Sequence, residues 1–347
     1  MAASWEGMLR WLSLLFSLIS TSVLAAEWNA SPVRVDGQLQ MYRPVSTAGL
    51  PWRVCVLIPN AKDRYWWGVT WGLQQEARRL GVHLGVYEAG GYDHPEAQIK
   101  QFAHCVARRA DAFIVASINP SDLCKRIEVQ QGAGRPVIDL INGIGCARLS
   151  AHSRVDFADM AQATVRYVQA RSGDRPLRIG WLPGPADAAW VIDADRGLKQ
   201  ALEGTGITLV HGGYAPLDRS RQAQLTRELF KTQPPLDYLI GNAEAALFAA
   251  ELARSTGSPT RILSLYATDR VLQQISAGRL LATPTDAPVV QARIAMDLAV
   301  RGLRGEPLPQ QVSPQIEMLD QNSLKNFDLR RLAPPEGYRM LRQELPD

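Results

Sequence analysis

Aromatic side chains are crowded into one short stretch of the chain, DRYWWGVTWG at residues 63–72. Tyr65, Trp66, Trp67 and Trp71 fall within seven residues, although aromatic residues make up only 7% of the sequence. The faces of such rings attract an alkylated ammonium group, by about 0.5 to 2 kcal/mol for each ring depending on desolvation. The stretch therefore predicts either a site for a methylated nitrogen or a densely packed helix.

Further aromatic residues occur where predicted strands end. Tyr92 closes the sequence EAGGY, and Tyr266 closes LSLY. Because ligands of open α/β sheets bind at the carboxyl ends of the strands, we expect Tyr65, Trp66, Tyr92 and Tyr266 to meet in one cleft. Trp190 lies beyond a later strand end and is a further candidate.

Two of the tryptophans are expected to belong to the core or to the surface of the lobe rather than to the ligand site. Trp67 and Trp71 are four residues apart and therefore share one helix face. A sugar is the competing ligand for the remaining rings, because sugars also stack on aromatic side chains. Asn60 and Arg64 are the polar residues that would accompany a sugar.

Four aspartates lie just beyond predicted strands or crossovers, at Asp63, Asp156, Asp269 and Asp286. In the cleft, a carboxylate could accept hydrogen bonds or balance a cation. For Asp63 and Asp156, capping of a helix N-terminus is an equally good interpretation. An enzyme that uses Asp63 and Asp286 as acid and base is another hypothesis, but no nucleophile, metal or cofactor motif accompanies them.

Other functional classes lack their sequence signals. GxSxG, HExxH and GxxxxGK[ST] are absent, and no GxGxxG follows the first predicted strand. The five histidines are scattered without metal-ligand spacing. The net charge of +4 is spread along the chain without a basic run, so the footprint of a nucleic-acid-binding protein is missing. We therefore expect no catalysis, metal, cofactor or nucleic-acid partner.

The N-terminus, WLSLLFSLISTSVLAAE, has the apolar run and small residues of a cleavable signal peptide. The run is short and serine-rich for a membrane-spanning helix, although a membrane anchor or a buried helix is the alternative. We expect residues 1–26 to direct export to the periplasm, with no membrane insertion after the signal is removed. A start at Met8 would give a signal with a more positive beginning.

Export changes the interpretation of the four cysteines, because an oxidising compartment favours disulfides. None of them has CxxC spacing, so a zinc site or redox motif is not indicated. Of the three possible pairings we favour Cys55 with Cys105 and Cys124 with Cys146, because each pair joins neighbouring predicted elements. Four buried thiols are the alternative.

From residue 53 the chain alternates continuous apolar runs, such as RVCVLIP and DAFIVASI, with amphipathic helical stretches. Continuous runs are typical of parallel strands buried on both faces. The order predicts an α/β fold of two doubly wound parallel-sheet lobes joined by a hinge of several crossovers. We expect a first lobe from 45–154 and 268–308, a second from 155–267 and 309–325, and an irregular tail at 326–347. The crossovers fall near residues 154, 267 and 309.

Two such lobes resemble the type I periplasmic binding proteins. Within that fold, CVLIPNAKDRYWWGVTWGLQQEARRLGVHLGVYEAGGY resembles the TorT family of the trimethylamine N-oxide reductase system. The likeness extends through PVIDLIN, the SRV crossover, WLPGP and the serine-x-tyrosine strand end.

This resemblance implies a trimethylamine N-oxide ligand held by Tyr65, Trp66, Tyr92 and Tyr266. It also implies a partner, the periplasmic sensor domain of a TorS-type histidine kinase. Asp63 matches the family's aspartate two residues before the tyrosine. We expect the ligand to bridge the lobes and close the hinge, which alters the kinase.

One position departs from the family pattern. Where that family has Trp-Phe after the SRV crossover, this chain has Asp156 and Phe157. We expect Phe157 or Trp190 to replace the missing indole, or Asp156 to favour a permanently cationic ligand over the N-oxide. A solute-binding protein that delivers a sugar or a quaternary amine to an ABC importer has the same fold and remains the alternative.

Overall fold

The computed structural model describes residues 32–173, 175–233, 235–340 and 342–346. The predicted signal peptide at residues 1–26 lies outside this part of the chain. Within the described residues, no helix is both long and apolar enough to cross a membrane.

Strands and helices alternate through most of the chain, as the apolar runs predict. The strands are β1 Pro32–Val35, β2 Gln38–Met41, β3 Arg53–Ile58, β4 His83–Glu88, β5 Ala112–Val115, β6 Val137–Leu140, β7 Ala151–Ser153, β8 Leu177–Leu182, β9 Ile207–His211, β10 Tyr238–Gly241, β11 Arg261–Ser264, β12 Thr283–Thr285, β13 Gln311–Pro314 and β14 Glu317–Leu319. The helices are α1 Arg64–Leu80, α2 Pro95–Ala107, α3 Cys124–Gly132, α4 Phe157–Ser172, α5 Ala189–Leu202, α6 Arg219–Thr232, α7 Ala243–Thr256, α8 Asp269–Ser276 and α9 Pro288–Leu303.

The first lobe is built on an eight-stranded sheet in the order β2-β1-β13-β7-β6-β5-β3-β4. Its strands from β13 to β4 run parallel. The central strands, including β3, β5 and β6, are almost entirely buried, because helices cover both faces of the sheet. The hairpin of β1 and β2 adds two antiparallel strands at one edge, around a turn in which Asp36 and Gly37 have φ of 49° and 82°.

The second lobe is built on a four-stranded parallel sheet in the order β11-β10-β8-β9. A small antiparallel pair, β12 with β14, lies beside it, and Ala282 bridges to Leu263 of β11. The type I periplasmic binding protein fold expected from the sequence is therefore present, with two parallel α/β sheets and crossovers between them.

The strand pairings divide the chain differently from the predicted boundaries. The chain passes between the sheets at residues 153–156, 285–288 and 314–317, whereas we predicted crossovers near 154, 267 and 309. Helix α8 buries Val271, Leu272 and Ile275 and packs against α7 of the second lobe. Strand β13 pairs in the first sheet. The short strands TPT and QVSP contain no apolar run. For this reason the sequence pattern did not indicate the two places at which the chain crosses between the lobes after these strands.

The C-terminal segment, predicted to be irregular, docks along the first lobe. Gln343 forms an antiparallel bridge with Val86 at the edge strand β4. Leu345 is buried at 2% exposure, and a Cβ at Gly85 would lie 2.7 Å from the Leu345 Cγ. Tyr338 contacts Trp71 edge to face, with ring centroids 5.2 Å apart. The segment therefore protects a sheet edge and covers the aromatic face of α1 that lies outside the cleft.

Both disulfides form in the first lobe with the pairing that we favoured. Cys55 of β3 bonds to Cys105 of α2, and Cys124 at the start of α3 bonds to Cys146 in the loop after β6. They tie helices to the sheet at positions 50 and 22 residues apart in sequence. Each bond restricts the unfolded chain and so stabilises the lobe that carries α1.

Candidate functional site

The loop between β3 and α1 is held by side-chain hydrogen bonds. Asn60 Oδ1 accepts from the backbone N–H groups of Lys62 (3.0 Å) and Asp63 (2.9 Å). Asp63 is the N-cap of α1, and its Oδ1 accepts from the backbone N–H of Tyr65 at 2.9 Å. This capping fixes the direction of the first helical turn and turns Tyr65 and Trp66 toward the second lobe.

A small cavity lies between the lobes at this point. Its lining combines residues that follow strands of both sheets, namely Asp63, Tyr65, Trp66, Tyr92, Ile141, Asn142, Phe157, Trp190, Leu217 and Tyr266. The centre of a water molecule can move within about 20 Å³ of this cavity. The whole space between the lining atoms, including the open mouth of the cavity, is about 270 Å³. Drug-sized ligands occupy pockets of about 300 to 1,000 Å³. In this closed arrangement the cavity suits only a very small ligand.

Aromatic rings from both lobes form the walls. Tyr65 contacts Tyr266 with centroids 5.6 Å apart, and Tyr266 contacts Trp190 at 5.9 Å. Trp190 also contacts Phe157 at 5.2 Å and Tyr92 at 6.3 Å. Most of these pairs are steeply inclined, so the rings pack edge to face around the cavity. A ring whose face borders the cavity attracts a positively charged group through its negative face.

The phenols of the cavity are neutral over the physiological pH range. Burial is the main cause that raises the pKa of Tyr65 and of Tyr266 well above the usual value for tyrosine. Burial also raises the pKa of Tyr92, whose hydroxyl accepts from Asn142 Nδ2 at 3.1 Å. Asn142 donates as well to the carbonyl of Ser117 at 2.8 Å, which fixes its orientation.

Asp63 is the single carboxylate among the described lining residues. Burial raises its pKa to about 6, and the carboxylates of Glu244 and Asp269 act in the same direction. The backbone N–H of Tyr65 opposes this shift by its hydrogen bond. Asp63 can therefore be an anion that balances a cation, or a protonated donor to an oxygen, within an ordinary range of pH.

Seven of the nine predicted ligand residues line the cavity, and two aspartates do not. Asp156 is paired with Arg154, which also contacts Asp193 at 2.7 Å. Asp156 is thus held by an ion pair and faces a separate groove beside α4, so its carboxylate does not line the cavity. Asp286 is completely buried behind Tyr65, whose hydroxyl donates to its carboxylate.

Three lining residues were not predicted. Asn142 follows β6 in the sequence DLIN, so its position at a strand end was a usable signal. Ile141 has a φ of 68°, unusual for a β-branched residue, and nothing in the sequence marks it. Leu217 lies in the loop between β9 and α6, where only the tertiary fold brings it to the cleft.

An ion pair between the lobes closes one side of the cleft. Arg64 of α1 donates from Nε to Asp269 Oδ2 of α8 at 2.5 Å, and its guanidinium lies 4.9 Å from the ring centroid of Trp67. Arg64 and Asp269 retain 43% and 22% side-chain exposure, so the pair is accessible to solvent. It joins the two lobes next to the cavity, and neither of its residues lines the cavity.

The arrangement is suited to binding a small ligand. Across the described residues, no group of three or more histidines, cysteines, aspartates or glutamates is placed to hold a metal ion. The rings supply attraction for a compact, alkylated positive centre, and Asp63 supplies a carboxylate beside it. Fold and site together define a two-lobed protein that encloses a small ligand at its hinge.

Comparison with known proteins agrees with this class. The sequence matches the family described as a periplasmic binding protein domain over residues 54–307. The chain therefore belongs to the periplasmic binding protein family. It is similar to the periplasmic protein TorT of Escherichia coli K12, with 30% identity over 331 residues that cover 94% of this chain and 95% of TorT.

Two solved structures extend the comparison. An ABC transporter solute-binding protein from Bradyrhizobium sp. BTAi1, with bound bis-Tris, shares 34% identity with this chain at a TM-score of 0.80, covering 92% of this chain and 99% of that one. A chain of the TorS sensor domain–TorT complex, determined in the presence of trimethylamine N-oxide, shares 27% identity at a TM-score of 0.75. That alignment covers 83% of this chain and 98% of the other.

Proposed function

We propose that this protein is a periplasmic receptor for trimethylamine N-oxide or a closely related methylated amine, and that it signals to a TorS-type sensor histidine kinase. The observation that carries the proposal is the aromatic cavity between the lobes, which is lined by Tyr65, Trp66, Tyr92 and Tyr266. TorT, to which the chain is similar over almost its whole length, forms a complex with the TorS sensor domain. Residues 1–26 act in this proposal as a cleavable export signal.

The lining favours a methylated nitrogen over a sugar. Sugars need several hydrogen-bonding side chains around the ring, whereas here Asn142 and Asp63 are the polar side chains beside the phenols. Arg64, which we considered as a sugar contact, pairs with Asp269 instead. A compact trimethylated group needs only ring faces and one polar partner, which the cavity provides.

The choice between an N-oxide and a permanent cation depends on Asp63. We considered Asp156 as a reason for a cationic ligand, but its ion pair with Arg154 removes that reason. Protonated Asp63 would donate to the oxygen of the N-oxide, and ionised Asp63 would attract a quaternary ammonium. In both cases the lobes would close because the ligand contacts both walls only in the closed state. No residue carries out a chemical step in this proposal.

Delivery of an amine to an ABC importer is the second candidate. The similarity to the Bradyrhizobium solute-binding protein supports it, because bis-Tris, like trimethylamine N-oxide, has a nitrogen bearing three carbon substituents. A purified sensor domain of the cognate histidine kinase separates the two functions. A receptor binds that domain and alters kinase activity when the amine is added, whereas a delivery protein does neither and instead stimulates the ATPase of its transporter.

The first test is calorimetric titration of the mature protein, from Glu27 onward, with trimethylamine N-oxide, choline and ribose. Trp66→Ala removes one cavity wall, and Trp71→Ala is the matched control on the same helix outside the cavity. We expect amine binding that is lost in Trp66→Ala and kept in Trp71→Ala, with thermal unfolding confirming that both variants fold. Ribose binding, or amine binding indifferent to Trp66, would contradict the proposal.

A further inference from the structure

The hydroxyl of Tyr65 forms its hydrogen bond behind the cavity rather than inside it. While the ring of Tyr65 lines the cavity, its hydroxyl donates to Oδ2 of Asp286. Asp286 has no exposed surface and does not line the cavity. A cavity residue is therefore joined to a buried carboxylate that a ligand does not reach.

Asp286 is in turn joined to Gln291 of α9, which is also completely buried. Gln291 donates from Nε2 to the same Asp286 Oδ2 at 2.7 Å and to the Asp286 carbonyl at 2.9 Å. Within the described structure, the other carboxylate oxygen of Asp286 has no hydrogen-bond partner. The carboxylate therefore depends on Tyr65 and Gln291 for its side-chain hydrogen bonds.

Gln291 connects two of the segments in which the chain crosses between the lobes. Its Oε1 accepts from the backbone N–H of Val155 at 2.9 Å, and its carbonyl accepts from the hydroxyl of Ser153 at 2.7 Å. Asp286 itself lies in the crossover between β12 and α9, where Ala287 has a φ of 50°. A non-glycine residue with positive φ is under backbone strain, which the surrounding contacts must maintain.

We propose that Asp286 and Gln291 are positioning residues for ligand binding, which join Tyr65 of the cavity to two hinge crossovers so that an occupied cavity favours the closed hinge. This inference rests on the proposed function of the cavity. Coupling between two sites typically changes affinity by about 5- to 150-fold. Breaking the hydrogen bond between Tyr65 and Asp286 should therefore weaken ligand binding although no ligand contact is removed.

The test is a double-mutant cycle with Tyr65→Phe, Asp286→Asn and the combined variant. Trimethylamine N-oxide and tetramethylammonium are the probes in calorimetric titrations. Each single variant should weaken binding by at least about fivefold. The combined variant should bind no more weakly than the weaker single variant, because the two changes break one connection. Losses that add would show that Tyr65 and Asp286 affect binding independently of each other, and they would overturn the inference.

Hydrogen exchange at the amide of Val155 supplies a readout that does not depend on the ligand. Without any ligand, Tyr65→Phe should speed exchange there by at least about fivefold, because the connection to Gln291 is loosened. Tyr42→Phe is the matched control. The Tyr42 hydroxyl donates at 2.6 Å to Asp297, a buried aspartate of α9, the helix that also carries Gln291. This control variant should leave exchange at Val155 unchanged.

The two measurements separate this inference from the proposed function. Unchanged exchange at Val155 in Tyr65→Phe would overturn the inference, while amine binding by the wild type would still support the function. Conversely, faster exchange in Tyr65→Phe with no amine binding by the wild type would support the connection to the hinge and contradict the proposed ligand.

Discussion

The titration of Asp63 should make the affinities for the two kinds of amine depend on pH in opposite directions. Asp63 lines the cavity, and burial raises its pKa to about 6. Below this pKa the carboxyl is a neutral donor to the oxygen of trimethylamine N-oxide. Above it, the carboxylate repels that oxygen and attracts the charge of tetramethylammonium.

The size of the effect follows from the fraction of Asp63 that is protonated. With a pKa of about 6, this fraction falls about tenfold between about pH 5 and about pH 7. If only one protonation state binds each ligand, affinity for the N-oxide falls by about tenfold over this range. Affinity for tetramethylammonium rises by a similar factor, because the ionised fraction increases as the protonated fraction declines.

Isothermal titration calorimetry over this pH range, in buffers with different heats of ionisation, measures both the affinity and the protons taken up. Asp63→Asn is the informative variant, because asparagine also caps a helix N-terminus but does not titrate. We expect it to fold normally, to bind the N-oxide with little dependence on pH, and to bind tetramethylammonium at every pH as weakly as the wild type does below the pKa of Asp63. Wild-type affinities that do not change with pH, or a pH dependence that is kept in Asp63→Asn, would contradict this role of Asp63.

Three further outcomes follow from contacts outside the cavity. Arg64→Ala removes the ion pair with Asp269, and an exposed ion pair of this kind contributes about 0.2 to 1 kcal/mol. Ligand dissociation, measured by stopped-flow fluorescence, should therefore be up to about fivefold faster in this variant. An unchanged rate would mean that the pair does not help to hold the lobes closed. Gly197→Ala should lower the free energy of unfolding in urea by about 1 to 3 kcal/mol, because the added Cβ would lie 2.3 Å from the Ala158 Cα where α4 and α5 pack. A variant as stable as the wild type would show that these two helices can move apart easily. Replacing both cysteines of either disulfide by serine should lower the free energy of unfolding by about 2 to 5 kcal/mol, and a thermal scan with no shift would contradict a stabilising role.

The sequence predicts the parts of the fold that depend on local pattern. Buried parallel strands such as β3 and β5 appear as continuous apolar runs, and the alternation with helices determines the fold class. The aromatic residues at strand ends were identifiable because the carboxyl ends of parallel strands meet at one edge of each sheet. Tyr65 in the first turn of α1, Tyr92 in the loop after β4 and Tyr266 in the loop after β11 converge in this way.

Other features depend on tertiary contacts that leave no local pattern. The crossovers after β12 and β13 could not be located, because TPT and QVSP look like loop sequences until they pair. Asp156 and Asp286 were chosen as strand-end carboxylates. Their partners, Arg154 and Tyr65, direct them away from the cavity, and pairing of this kind is visible only in the folded structure.

The C-terminal segment shows the same limit. Its sequence has no periodicity, yet Leu345 and Tyr338 find sites on the first lobe. Gly85 leaves room for Leu345, and the pattern of β4 gives no reason for a glycine there until the segment is seen to dock. Trp71, which shares a helix face with Trp67, is packed against Tyr338 of this segment.

Recognition of the amine between the lobes is tested most directly by a crystal structure of the mature protein grown with trimethylamine N-oxide. We predict the ligand in the cavity between the lobes, with its methyl groups within about 6 Å of the ring centroids of Tyr65, Trp66 and Tyr266 and its oxygen toward Asp63. A ligand bound elsewhere, or an empty cavity under conditions in which calorimetry detects binding, would contradict this prediction.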